Sequence, residues 1–288
     1  MTKNEIMGVS IGDNCPAYVI AEIGINHNGD LATAKKLMDV AVECGCNAVK
    51  FQKRTVSVVY TDVELDQYRE STFGKTNRAL KNGLEFGERE YREIVSYSQE
   101  IGIDWLASCW DEASVEFVEA FNPACYKIAS ASLTDESLLR YHRKFDRPVI
   151  LSTGMSTIKE VDRAVEILGS DNLIILHCTS TYPTSPSELN LRAIPMLQAR
   201  YGVPVGYSGH ETGLASTVVA VALGACVIER HITLDRAMWG SDQAASVEPS
   251  GLKRLVRDIR TIEQALGDGE KCVYDSELPI REKLRRKK

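Results

Sequence analysis

Residues 149–177 read VILSTGMSTIKEVDRAVEILGSDNLIILH: a short apolar run, a turn of small and polar residues, an amphipathic helical pattern, and a second apolar run. That order is the pattern of a strand–helix–strand unit, whose strands are apolar throughout because helices cover them. The same alternation extends in both directions. Strands are predicted near Tyr18–Ile23, Ala48–Gln52, Asp104–Ala107, Cys125–Ala129, Val149–Ser152, Leu173–His177, Val205–Tyr207 and Cys226–Glu229. Helices are predicted near Leu31–Cys44, Glu88–Ile101, Ala113–Ala120, Glu136–Lys144, Ile158–Leu168, Leu191–Tyr201, Leu214–Leu223 and Gly251–Leu266. Eight of each in a chain of 288 residues predict a single-domain α/β fold, a closed (β/α)8 TIM barrel of the usual size of about 250 residues. The barrel is placed over residues 1–266 and a short tail over 267–288. Thr55–Gly87 is too long for an ordinary connection and is predicted to fold over the barrel mouth as a lid.

Composition narrows the function. No apolar run reaches the roughly 18 residues of a membrane span, and MTKNEIMGVSIGDNCPAYVI at the amino terminus lacks the basic-then-apolar order of a secretory signal. A cytoplasmic protein is expected. The net charge of −6 argues against a nucleic-acid partner, and the basic REKLRRKK at the carboxy terminus reads as a solvated tail. Eight cysteines without a CxxC pair are read as reduced thiols. Cys44 is expected to end a helix and Cys46 to lie in the loop beyond it. Neither a G-x-G-x-x-G nor a P-loop is present, and a G-x-S-x-G elbow is absent too.

In a barrel of this kind chemistry sits at the carboxy ends of the strands. There the sequence places Glu22, Asn26 and His27; Lys50, Gln52 and Lys53; Lys127, Ser130 and Ser132; Ser152 and Thr153; His177, Thr179, Ser180 and Tyr182; Ser208 and His210; Glu229, His231 and Asp235. Residues i and i+2 share a strand face, so Lys50 with Gln52, Ser208 with His210, and Glu229 with His231 are predicted to point together toward the barrel axis. A buried charge without a partner or ligand is costly. One lysine alone would read as half of a structural ion pair, whereas two lysines, two glutamates and two histidines at strand ends read as a site. His210 and His231 suit a divalent ion with open positions for water and substrate, and Lys50, Lys127 and the Ser/Thr-rich ends suit a phosphate or carboxylate. His142 is read as a surface helix residue and His177 as a residue that orients a neighbour.

AEIGINHNGD, AVKFQK, YKIAS, LSTGMST, HCTSTYP, GYSGHE, ERHITLD and SDQAASVEP occur in that order across roughly residues 17–266, and this series resembles the sialic acid synthase family. Members of that family condense phosphoenolpyruvate with an aldose to give a nine-carbon 2-keto acid and phosphate. The resemblance implies that Lys50, Lys127, Ser130, Ser152 and Ser208 hold phosphoenolpyruvate, that Ser180 helps enclose it, and that His210 and His231 bind Mn2+ or Mg2+. It implies that Gln52, Tyr182, Glu229 and Asp242 surround the metal, the acceptor sugar or both, and that Glu22 stands at the reacting centre. A homodimer is also implied. Family members commonly continue into an antifreeze-like domain that lends an arginine to a partner's site; this sequence stops at Lys288, so that domain is expected to be absent, with Arg230, Arg236 and Arg281 among the stand-ins. Ser132 falls where many members have Glu, and Gln243 where His is common. N-acetylmannosamine or a modified N-acyl hexosamine is the expected acceptor. Alternatives are a synthase of another 3-deoxy-2-keto sugar acid, and a noncatalytic barrel that binds a sugar or phosphorylated ligand.

Overall fold

A computed structural model describes residues 4–286. Its first element is a hairpin, β1 (Asn4–Ile6) with β2 (Val9–Ile11). Eight parallel strands then alternate with helices: β3 (Tyr18–Gly24), β4 (Ala48–Lys53), β7 (Asp104–Cys109), β8 (Tyr126–Ile128), β9 (Val149–Ser152), β10 (Leu173–Cys178), β11 (Val205–Gly209) and β12 (Val227–His231), closing as a barrel because β12 pairs with β3. The remaining strands, β5 (Tyr68–Ser71) and β6 (Gly74–Thr76), form a hairpin outside the barrel. The fold is the predicted (β/α)8 barrel.

The twofold period of each strand separates two apolar layers. Outward residues such as Val19, Val49, Trp105 and Val149 join the surrounding helices in one large core, while inward Tyr18, Ile20, Leu106, Ile150 and Ile174 fill the barrel floor. The amino-terminal hairpin plugs that floor from below: Ile6 and Ile11 are fully buried in the inner cluster, and Asn4 Nδ2 donates to the Leu173 carbonyl at 2.7 Å. Strands of three residues are too short to produce a readable alternation, which is why the hairpin was not predicted. Helices α1 (Leu31–Glu43), α5 (Glu88–Ile101) and α8 (Ile158–Leu168) follow the expected bounds closely. At the start of α8, Thr157 and Glu160 form a reciprocal capping box that satisfies donors the first turn leaves open.

The segment expected as one lid has structure of its own: α2 (Val56–Val59), α3 (Asp62–Leu65), the β5–β6 hairpin and α4 (Asn77–Leu84). Leu65 and Leu80 anchor it as buried residues, and Arg78 ties α4 to Asp62 and Asp66. At the other end of the chain, α12 (Leu278–Leu284) lies fully exposed in the tail; the final two residues of that predicted tail fall outside the described residues. His142 corrects the sequence reading. It ends helix α7 (Glu136–His142) but is buried, its Nδ1 2.8 Å from the Leu138 carbonyl and its ring edge-on to Tyr126.

Candidate active site

Above the apolar floor, the inward positions of the strands change character. Glu22, Lys50, Ser108, Lys127, Ser152, Cys178, Ser208 and Glu229 are all buried and line one cavity of about 230 Å³ at the carboxy end of the barrel. Lys50 Nζ lies 2.9 Å from Glu22 Oε2 and 3.8 Å from Glu229 Oε2, and it donates to Ser108 Oγ at 3.0 Å. Lys127 Nζ lies 3.9 Å from Glu229 Oε1, which also accepts from Ser208 Oγ at 3.1 Å. The charges therefore form one connected group rather than isolated pairs. Gln52 stands higher on β4 and donates through Nε2 to Glu22 Oε1 at 3.1 Å.

Burial drives the Glu22 carboxyl up to about 6, with Lys50 acting against it. Burial also opposes ionisation of Glu229, but Lys127 and Lys50 outweigh it and hold that carboxyl below its ordinary value. Two carboxylates in the same cavity are thus driven apart, one toward the proton and one away from it. Burial lowers Lys127, whereas at Lys50 the Glu22 and Glu229 charges override the same effect and raise it.

Of the thirteen residues to which the family resemblance gives a role, all but Asp242 line the cavity, whereas Asn26, His27, Lys53, Ser132, Thr153, His177, Thr179 and Asp235 do not. Ser130 and Ser180 flank Gly154: a β-carbon on Gly154 would lie 2.8 Å from the first hydroxyl and 2.1 Å from the second. A side chain there would displace both hydroxyls as the turn after β9 passes between them, and the Gly154 N–H donates to Ser130 Oγ at 3.0 Å. Ser152 Oγ is buried with no hydrogen-bond partner. Asp242 stands outside the cavity, its Oδ2 3.9 Å from His231 Nδ1. Gln243 faces away, donating to the Asn26 carbonyl and bonded to Thr233, and Ser132 is buried in the turn after β8 without lining the cavity. His177 meets the Leu189 carbonyl through Nε2 at 2.7 Å and holds the loop after β10. Arg230 is not free to serve the site: it points outward from β12 and is buried against Glu211, Thr217 and the Gly213 carbonyl. Arg236 donates to the Ala244 carbonyl, and Arg281 lies on exposed α12.

His210 and His231 share the cavity, with ring centroids 5.5 Å apart and Tyr182 leaning over both at 4.1 and 5.9 Å. The Thr179 carbonyl, 2.9 Å from His210 Nδ1, places the proton there and leaves the lone pair on Nε2. His231 Nδ1 is buried without a hydrogen-bond partner, and burial lowers that imidazole to about 3, so it stays neutral. Burial works against a charge on His210, but Cys178 and the Thr179 carbonyl outweigh it and raise that imidazole, so a divalent ion held by this closely spaced pair would displace a proton from His210. Among the described residues no third His, Cys, Asp or Glu completes a cluster with them, so water and substrate oxygen would fill the remaining positions.

Sequence reasoning missed Ser108, Trp110 and Cys178, all of which line the cavity. For Ser108 the signal was present. The predicted third strand was ended at Ala107, but it runs on to Cys109, so the inward alternation of Leu106 continues to Ser108.

A closed barrel with lysines, carboxylates and imidazoles converging at its carboxy end defines a TIM-barrel enzyme. A NeuB family model matches residues 37–271. N-acetylneuraminate-9-phosphate synthase of Mus musculus is 43% identical over 280 residues, covering 95% of this chain and 78% of that protein. N,N'-diacetyllegionaminic acid synthase of Legionella pneumophila is 38% identical over 285 residues, covering 96% and 80%. Among solved structures, N-acetylneuraminic acid synthetase from Leptospira borgpetersenii, in complex with citrate, superposes with a TM-score of 0.87 at 32% identity, covering 99% of this chain and 98% of that one. The chain belongs to the NeuB family of sialic acid synthases, and it is an enzyme of the transferase class.

Proposed function

We propose that the protein condenses phosphoenolpyruvate with an aldose, N-acetylmannosamine or a modified N-acyl hexosamine, giving a nonulosonic 2-keto acid and inorganic phosphate. The observation that carries this reading is the set of donors on one side of the cavity: the Lys50 and Lys127 ammonium groups beside the unpartnered Ser152 hydroxyl and the Ser130–Gly154–Ser180 cluster. Lys127, paired to Glu229 at 3.9 Å, is available to exchange that distant partner for a closer phosphate or carboxylate oxygen, while Lys50 is held at 2.9 Å by Glu22.

In the reaction, C3 of phosphoenolpyruvate attacks the acceptor's carbonyl carbon, and the carbonyl oxygen becomes a hydroxyl on gaining a proton. Positive charge develops at C2 and water adds there, losing a proton. The C2 hydroxyl then gives up its proton, the bridging C2–O bond breaks, and phosphate leaves with a proton on its oxygen, so that a ketone remains at C2. Lys50 and Lys127 hold the donor and screen its charge throughout. Glu22, raised to about 6 and facing Lys50, takes the proton from the water that adds at C2. Gln52 and Tyr182 orient the acceptor, with Asp242 beside His231. His210 and His231 would hold a divalent ion, Mn2+ or Mg2+, which would supply Lewis acidity toward the acceptor carbonyl.

We assign catalysis to the barrel over residues 1–266, with 267–288 as a tail. Among the described residues no helix is long and apolar enough to cross a membrane, and we place the protein in the cytoplasm, as a homodimer that light scattering would test. Incubation with phosphoenolpyruvate, Mn2+ and a panel of aldoses should release phosphate only when an N-acyl hexosamine is present. No phosphate with any acceptor would overturn the reading.

A further inference from the structure

Gln52 is useful to an acceptor only if its amide is held one way round, and its orientation has an identifiable cause. Its Nε2 donates to Glu22 and its Oε1 accepts from Arg54 Nη2. A guanidinium has only donors and a carboxylate only acceptors, so these two neighbours permit a single amide orientation. Arg54 is itself fixed: it is 9% exposed, its Nε is 2.8 Å from Glu85 Oε1, its Nη1 donates to Tyr60 at 2.9 Å, and its guanidinium stacks over Trp110 at 4.9 Å. Tyr60 directly follows α2 and Glu85 directly follows α4, so the segment outside the barrel holds the arginine that holds the glutamine. Arg54 also forms a wall of a second cavity of about 290 Å³, beside Trp239 and Lys81.

We propose that Arg54 is a positioning residue for the acceptor. It fixes the Gln52 amide so that Nε2 faces Glu22, and it transmits the placement of residues 55–87 to the reacting centre. This rests on Gln52 contacting the acceptor, as read above.

The test is a double-mutant cycle read in steady-state kinetics, with thermal melting to confirm folding. Arg54→Met should raise the acceptor KM about tenfold, as expected for losing a charge-assisted hydrogen bond, and leave the phosphoenolpyruvate KM unchanged. Arg54→Lys, which keeps the charge without the fork, should restore only part of that loss and serves if the methionine variant does not fold. In a Gln52→Ala background either Arg54 substitution should add nothing. An equal, additive loss in that background, or a parallel rise in both KM values, would show that Arg54 only supports the fold and overturn the proposal. If Gln52→Ala leaves the acceptor KM unmoved, the acceptor reading of Gln52 fails first and separately.

Discussion

The two walls of the cavity are built differently. On the wall we assign to phosphoenolpyruvate, Lys50, Lys127, Ser152 and Ser208 project from barrel strands, each strand paired in parallel with both of its neighbours. On the acceptor side, Tyr182, Asp242 and the Arg54 that holds Gln52 stand on loops or are anchored by the irregular segment 55–87. Strands give a fixed grip on an invariant small anion; loops leave room for variation in the sugar. The donor wall should therefore be intolerant of substitution, and the acceptor wall should change selectivity before it abolishes turnover.

The largest break is expected at Lys127. Lys127→Ala should cut kcat/KM for phosphoenolpyruvate by about 10³ with little change in melting temperature; unchanged turnover would remove this lysine from the donor site. Glu22→Gln should cost about 10² in kcat and change the pH profile. Because the folded carboxyl titrates at about 6 and acts in its ionised form, activity should rise with pH through that value in the parent and be flat there in the variant. A rising limb that survives the substitution belongs to another group.

Gly154→Ala probes the packing beneath the donor. With a β-carbon 2.1 Å from Ser180 Oγ, the serine hydroxyls or the turn must shift, at about 1–3 kcal/mol of stability and a weakened phosphoenolpyruvate KM; a neutral substitution would mean that the serines do not crowd this turn. Ser108→Ala is the mildest. Loss of its bond to Lys50 should lower kcat/KM by a few-fold, on the order of 1 kcal/mol, and leave acceptor selectivity untouched.

The same contrast sets what could be read in the sequence. Residues on the barrel strands follow the i, i+2 alternation, so Lys50 with Gln52 and Glu229 with His231 could be placed on one face from spacing alone. Ser108 was lost only because its strand was ended two residues early. Arg54, by contrast, lies just beyond β4, and its role depends on Tyr60 and Glu85, brought beside it by tertiary packing. No local period encodes that. His142 was misplaced for a related reason: the helix face it occupies is buried by Tyr126 from a separate strand. The outward turn of Arg230 was implicit in the alternation, because the neighbours Glu229 and His231 point inward, but its partner Glu211 became visible only when the barrel placed β11 beside β12.

The central claim is that this cavity joins phosphoenolpyruvate to a sugar with cleavage of the C2–O bond. Phosphoenolpyruvate labelled with heavy oxygen at the bridge between C2 and phosphorus tests it directly when turned over with N-acetylmannosamine and the products are weighed by mass spectrometry. The account predicts acceptor-dependent release of phosphate that carries the label, together with an unlabelled 2-keto acid at the bridging position. Label retained in the keto acid, or phosphate released at the same rate without a sugar, would contradict it.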